Sequence, residues 1–311
     1  MIKRLIFSIF VAFFSTFLCF VLLNFSKASV AFSSNSNMQS KEFVKRLEKN
    51  LELDKPLLKQ YKNWLFKALK GDFGTSLLYG QSVLKLIKER LFNTVILGSC
   101  AFFMLFILSI FLAFLSFHFK DSFIEKLITF LTLNFFALPS FVLALLFVLI
   151  FSFFWQILPS SMNYLSFEYD FLEYLKALIM PILVLVLSHL AIFLRITRTI
   201  INESFSQIFV HNFYARGLRQ SYIYYLVLRY SLASIVAYFG ANILSFLMQT
   251  YIIESVFSYA GLGNLLFKSV IFNDYPVVLA LVFFSVLLVA FFSFCSDFLA
   301  KILSPRGFNF A

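Results

Sequence analysis

The sequence predicts an all-α polytopic membrane protein with about six transmembrane helices, and three observations lead there. The chain is 61% hydrophobic over 311 residues. Only 13% of it is charged, about half the usual share of roughly 25% in a soluble domain. Its charges are also clustered, leaving long windows with none. Too little polar surface remains to cover a soluble core of this size. Inside hydrocarbon such windows must be helical, because every backbone amide and carbonyl needs an internal partner.

Taken in order, the charge-free windows are Leu5–Phe25, Leu91–Phe119, Leu127–Phe167, Ala177–Leu194, Tyr230–Ile253 and Tyr275–Ser296. Each can supply the roughly 20 apolar residues that a crossing requires. The third is too long for one span; Pro139 and Pro159 punctuate it, which predicts a helix of about Leu127–Trp155 and then a turn. The first has a competing reading as a cleavable signal, with Lys3 and Arg4 ahead of it and Ser29-Val30-Ala31 behind. Its apolar run exceeds the about 7–15 residues usual for such a signal, which favours a retained span.

The formal charge of +11 is therefore read against a membrane rather than against nucleic acid. With the N-terminus inside, 11 basic residues fall in cytoplasmic segments and 2, Lys176 and Lys268, in short outer loops. The other 13 lie in the long segment Ser26–Arg90, beyond the loop length over which the rule operates. Both termini are accordingly expected in the cytoplasm. The expected organisation is a first span over 1–25, an extracytoplasmic segment over 26–92, a five-helix core over 93–303 and a tail over 304–311.

Two stretches outside the spans carry a pattern. Within Ser26–Arg90, the residues Leu47, Leu51, Leu57, Leu58, Tyr61, Trp64, Leu65 and Ala68 recur at near-helical spacing between lysines. Both a solvated helical lid and a docking surface for a soluble partner fit this pattern. The loop 195–229 between spans four and five holds five arginines against one acid, Glu203. Phe205, Ile208, Phe209, Phe213 and Tyr214 follow helical spacing to Ala215, Gly217 interrupts it, and a second helical run starts near Ser221. A helix, a glycine and a helix make a knob at the membrane face, either held to lipid headgroups or offered to a partner.

The sequence holds no GxxxxGK[ST], HExxH or GxSxG motif for covalent or metal chemistry. No catalytic residue, metal site or cofactor is expected. Cys19, Cys100 and Cys295 lie in apolar runs and are read as small buried residues. His189, in span four, is read as satisfying an interhelical hydrogen bond. Ionisable groups at membrane depth are functional candidates. Glu254, closing span five, either borders a solvated cavity or reaches the outer interface.

Seven stretches have a familiar order: LDKPLLKQY (53–61), GDFGTSL (71–77), ALPSF (137–141), ARGL (215–218), IIESVFSYAGLGNLL (252–266), NDYPVV (273–278) and LSPR (303–306). With the six windows and the long first outer segment, the sequence resembles, along essentially its whole length, the permease subunits of binding-protein-dependent, ATP-driven importers for dipeptides, oligopeptides and nickel. The resemblance implies a bacterial inner-membrane subunit that forms half of a translocation pathway. It implies a second homologous permease, two ATPase subunits and an extracytoplasmic substrate-binding protein as partners, beside membrane lipid and without nucleic acid. It makes Ala215, Arg216, Gly217, Leu218 and Arg219 an ATPase-coupling loop. Glu254, Gly261, Gly263 and Asp274 become pathway or gate candidates. His211, Asn212 and Phe213 stand where the family has small residues, and FSYAGLG replaces FSWPGLG. A stand-alone secondary transporter or channel is the alternative, and it would need transport without ATP.

Overall fold

The computed structural model describes residues 10–11, 13–22, 56–161 and 171–304. The start of the first span, Leu47 and Leu51, Ser29–Ala31 and Arg306 lie outside these. Among the described residues the architecture is helical, with a lone antiparallel bridge between Thr75 and Ser82. In chain order the helices are α1 (Phe13–Leu22), α2 (Leu57–Leu69), α3 (Val83–His118), α4 (Phe123–Ala137), α5 (Ser140–Phe147), α6 (Phe171–Phe205), α7 (Ile208–Ala215), α8 (Gln220–Ala241), α9 (Ile243–Val256), α10 (Leu262–Ile271) and α11 (Tyr275–Leu303).

Four of these, α3, α6, α8 and α11, are long and apolar enough to cross a membrane, or five with α4 and α5 taken as one bent span. Most outrun the windows that predicted them. The α3 helix begins at Val83, ahead of Leu91, because Val83, Leu86 and Ile87 bury one face while Lys85, Lys88 and Glu89 stay exposed on the other. The α6 helix gains residues at both ends in the same way, across Glu173, Lys176, Arg195 and Arg198.

Two expected spans are broken. The single helix over Leu127–Trp155 is not formed: α4 ends at Ala137, and Ser140–Phe154 continues at a bend of 101°. Leu138 precedes Pro139 and takes extended backbone, with ψ 130, because the proline ring clashes with a helical residue before it. Past Phe147 the second arm widens into a π-helical turn over Val148–Phe154. The window Tyr230–Ile253 also divides, at Asn242. The Asn242 amide donates to the Tyr238 carbonyl at 2.8 Å, a local bond that competes with helix continuation.

The chain forms two units. One holds the described residues up to Thr94 together with Ala260–Ala290; the other holds Val95–Tyr259 and the described residues from Phe291. In the second unit α6 is the central helix. Its Met180, Val184, Leu185 and Phe193 pack with Leu97, Leu105, Leu143, Phe239 and Phe246 in one apolar cluster. His189 sits against Phe193 and Phe246. Its Nδ1 hydrogen bond runs to Leu185 O, 3.2 Å away on its own helix, so the expected interhelical bond is replaced by a bond within α6.

The cysteines also depart from expectation: Cys100 is exposed, and Cys19 and Cys295 are half-buried. Their apolar runs belong to membrane helices, where an apolar residue can face lipid as well as core. Exposed Phe103, Phe111, Phe130 and Phe291 follow the same rule.

Helices α8 and α11 approach so closely at Gly240 that a Cβ there would meet the Ser296 Cβ at 2.3 Å. The Ser296 hydroxyl donates to the Val236 carbonyl at 2.7 Å, fixing the approach. Small residues permit such contacts between membrane helices. Gly240→Ala is expected to cost about 1–3 kcal/mol by overpacking. A lower thermal midpoint of the purified protein, partly restored by adding Ser296→Gly, is the check.

Candidate functional site

Helix α7 and the turn after it form the exposed knob. Helix α6 stops at Phe205, and Gln207, extended at ψ 145, starts α7. Val210 is buried and joins Phe205, Ile223 and Val227 in a small core beneath α7. The opposite face is open: Ile208, His211, Asn212, Tyr214, Ala215, Arg216, Gly217 and Arg219 are exposed. Leu218 is half-buried.

Gly217 closes α7. Its amide donates to the Tyr214 carbonyl (3.0 Å), and the Leu218 amide donates to the Phe213 carbonyl (3.2 Å). With Gly217 at φ 68 this is a Schellman cap, which needs a left-handed residue at that point. Phe213 and Leu218 pack on the small core beneath, supplying the apolar contact that accompanies such a cap. Arg219 then takes extended backbone, ψ 136, and starts α8. The helix–glycine–helix pattern of the sequence is thus present with its boundaries nearly unchanged.

Beneath the knob the packing is aromatic and polar. Phe117 stacks on Phe205 with ring centroids 3.9 Å apart. The Tyr224 hydroxyl lies 3.1 Å from His118 Nδ1 and accepts from Gln220 Nε2 at 3.0 Å. Ser231 donates to the Ser204 hydroxyl at 2.9 Å, joining α8 to α6. Arg198 on α6 pairs with Glu125 on α4, and Glu125 also accepts from the Asp121 amide at 2.6 Å. Every helix that flanks the knob in sequence is tied to a neighbour.

The gate candidates fall in both units. In the second, Glu254 is wholly buried in α9, so it does not reach the outer surface. Its backbone carbonyl accepts from the Tyr259 amide at 2.8 Å. The hydroxyls of Tyr259 and Tyr174 lie 2.8 Å apart. Burial, and then the Tyr174 hydroxyl, push the Tyr259 phenol above its ordinary range.

In the first unit, Gly261 precedes α10 and has no side chain to cap it. Thr94 serves instead: its hydroxyl accepts from the Leu262 amide at 2.7 Å. Asn93 Nδ2 donates to the Ala260 carbonyl at 2.9 Å. Gly261 and Gly263 are both buried there.

Asp274, immediately before α11, is wholly buried. Its carboxylate accepts from the Ser76 hydroxyl (2.5 Å) and from the amides of Leu77 (3.0 Å) and Leu78 (3.1 Å). Two stretches quoted separately from the sequence, GDFGTSL and NDYPVV, are therefore one structural element.

Residues 105–308 match the family described as the binding-protein-dependent transport system inner membrane component. The chain belongs to this family. The permease is 30% identical over 257 residues to the oligopeptide transport system permease protein AppB of Bacillus subtilis, covering 82% of this chain and 81% of that one. It is 28% identical over 294 residues to the metal-staphylopine import system permease protein CntB of Staphylococcus aureus, covering 94% and 92%. It is a multi-pass transport subunit of the membrane and not an enzyme.

Sequence reasoning about the permease found Gly217 and the gate candidates, and it missed the residues bonded beneath the knob and those bonded around Gly261 and Asp274. Glu125, Tyr224, Ser76, Asn93 and Thr94 were not singled out. Ser76 stands in a glycine-punctuated loop, the one signal that could have drawn attention to it, whereas Asn93 and Thr94 lie inside α3.

Proposed function

We propose that this permease forms half of the translocation pathway of an ATP-driven importer of dipeptides or oligopeptides, or of nickel or metal chelates of similar size. The other half is a second homologous permease. Two ATPase subunits drive the pair, and an extracytoplasmic binding protein delivers cargo. Six spans with both termini in the cytoplasm fit the distribution of basic residues. Segments 1–25, 26–92, 93–303 and 304–311 are the working divisions of the chain.

The observation that carries this reading is the exposed, internally capped knob at α7. Residues Ala215–Arg219 couple the spans to an ATPase: ATP-driven closure of the ATPases pulls α7, and the spans rock between inward-facing and outward-facing states. A rigid knob is required, because a pliant one would absorb the displacement. The Schellman cap, the buried Val210 and the Phe117–Phe205 stack support that rigidity. The names of the relatives support the cargo class, oligopeptides for one and metal-staphylopine for the other.

The test is co-expression with the adjacent ATPase, second permease and binding-protein genes, followed by reconstitution in vesicles. A four-subunit membrane complex that takes up labelled oligopeptide or chelated nickel only with ATP and binding protein is expected. Uptake by this chain alone, without ATP, would replace the importer reading with a stand-alone carrier.

A further inference from the structure

Helix α4 ends at an open stretch of backbone, and its packing against α6 fixes where that stretch lies. Glu125, near the start of α4, pairs with Arg198. Ile128 packs on the cluster that holds Leu194 and Ile201 of α6. Phe135 packs on the cluster that holds Leu185 and Leu190. The α4 helix therefore runs back along α6, antiparallel to it. Ala137, as far from Glu125 along α4 as Val186 is from Arg198 along α6, stands at about the level of Val186. At about 1.5 Å per residue, Val186 is about 12 Å from one end of the charge-free window Ala177–Leu194 and about 14 Å from the other. The end of α4 is thus deep inside a hydrocarbon layer about 30 Å thick.

Peptide groups are left open there. Leu138 is extended, and Pro139 has no amide to give. Among the described residues, the carbonyls of Phe135, Phe136, Ala137 and Leu138 accept no hydrogen bond, and the amides of Ser140, Phe141 and Val142 donate none. The Asn134 side chain does not close the gap, because its Nδ2 donates back to the Phe130 carbonyl at 2.7 Å. Asn134 and Phe136–Pro139 are all exposed.

Lipid tails offer these groups neither a donor nor an acceptor. Irregular backbone at this depth is tolerated only where protein buries it or water reaches it. A protein cover would have to set donors on four carbonyls and acceptors on three amides within eight residues of chain. Water brings a donor and an acceptor in one molecule, and so does the peptide group of a cargo peptide. Backbone groups also bond any peptide sequence alike, as a conduit for varied peptides requires.

We propose that the Phe135–Val142 break faces the water-filled translocation pathway, where water and then the peptide groups of passing cargo take up its open carbonyls and amides. This rests on the reading of the chain as half of a peptide pathway, and the test below separates the two.

Spin labels at Ala137→Cys and Leu138→Cys, with Phe103→Cys as the lipid-facing reference, test the placement. The background is the full chain with Cys19, Cys100 and Cys295 replaced, in the assembly isolated after co-expression with the adjacent transporter genes and returned to vesicles. Collisions with a water-soluble nickel chelate should exceed those with oxygen at 137 and 138 in at least one of the ATP-free and ATP-bound states. The ratio should invert at 103. Oxygen dominating at 137 and 138 in both states overturns the inference, since the break then faces lipid. Exclusion of both reagents in both states overturns it too, since protein then covers the break.

The unsubstituted chain gives a second reading. Amide exchange in peptides spanning Leu138–Val142 should be as fast as in an unfolded peptide, because these amides lack internal partners and meet water. Exchange as slow as in the core of α6 overturns the inference. Neither readout uses uptake. Chelate contact at 137 in an assembly without ATP-driven import keeps the break in water and removes the importer, and oxygen contact in a working importer does the reverse.

Discussion

Ala215→Asp is expected to lower ATP-driven uptake by roughly a hundredfold or more while leaving the permease assembled in the membrane. Ala215 is exposed in the last turn of α7, so the new carboxylate disturbs no packing within the chain. Its local cost is confined to an unfavourable position near a helix C-terminus, about 0.5 kcal/mol. Docking is different. A carboxylate pressed into a protein groove without a partner loses its hydration, at a cost of several kcal/mol, and about 1.4 kcal/mol corresponds to each tenfold loss of association.

The companion change, Gly217→Ala, acts on shape rather than on charge. No atom lies within 4 Å of where its Cβ would stand, so the penalty is that of a left-handed residue with a side chain, about 1–2 kcal/mol. It should reduce uptake less than Ala215→Asp. Uptake, ATPase activity and subunit recovery measured on one preparation separate the outcomes. Uptake by Ala215→Asp close to that of the parent, in an intact complex, would remove the coupling role from this segment.

The knob was readable because its determinants are local. Four aromatic and aliphatic residues at helical spacing, Ile208, Phe209, Phe213 and Tyr214, and one glycine specify α7 and its cap, and all lie within about ten residues; the fifth of the pattern, Phe205, ends α6. Helix ends were less readable. A charge-free window marks where a helix lies in hydrocarbon, whereas α3 and α6 continue past the bilayer on amphipathic turns that contain charges. The break at Asn242 was hidden for a related reason: a single polar residue barely alters the hydropathy of an apolar run, yet its side chain competes for a backbone carbonyl. The bend at Pro139 had its signal in the sequence, but proline alone does not fix an angle. The Asp274 contacts were beyond reach altogether, since Ser76 stands 198 residues away in the chain and no periodicity links the two.

That pairing supports the second large expectation: Asp274→Asn should release the loop around Ser76–Leu78 and weaken the permease by on the order of 3 kcal/mol. All three groups aimed at the carboxylate are donors, one hydroxyl and two amides. Among the described residues no basic side chain pairs with it, so those donors and the start of α11 hold the charge. Asparagine keeps one oxygen but puts an NH₂ group where the second acceptor was, so a donor then faces a donor. It also loses the favourable position of a negative charge ahead of a helix N-terminus, about 0.3–1 kcal/mol. Ser76→Ala should be milder, about 1 kcal/mol, because the amides of Leu77 and Leu78 still reach Asp274. Amide exchange at Leu77 and Leu78 in the reconstituted protein reads the latch directly: it should accelerate roughly a hundredfold in Asp274→Asn and far less in Ser76→Ala. Parental protection at both amides in the asparagine variant would mean that the loop is held by its own turn, and that Asp274 is free to serve elsewhere.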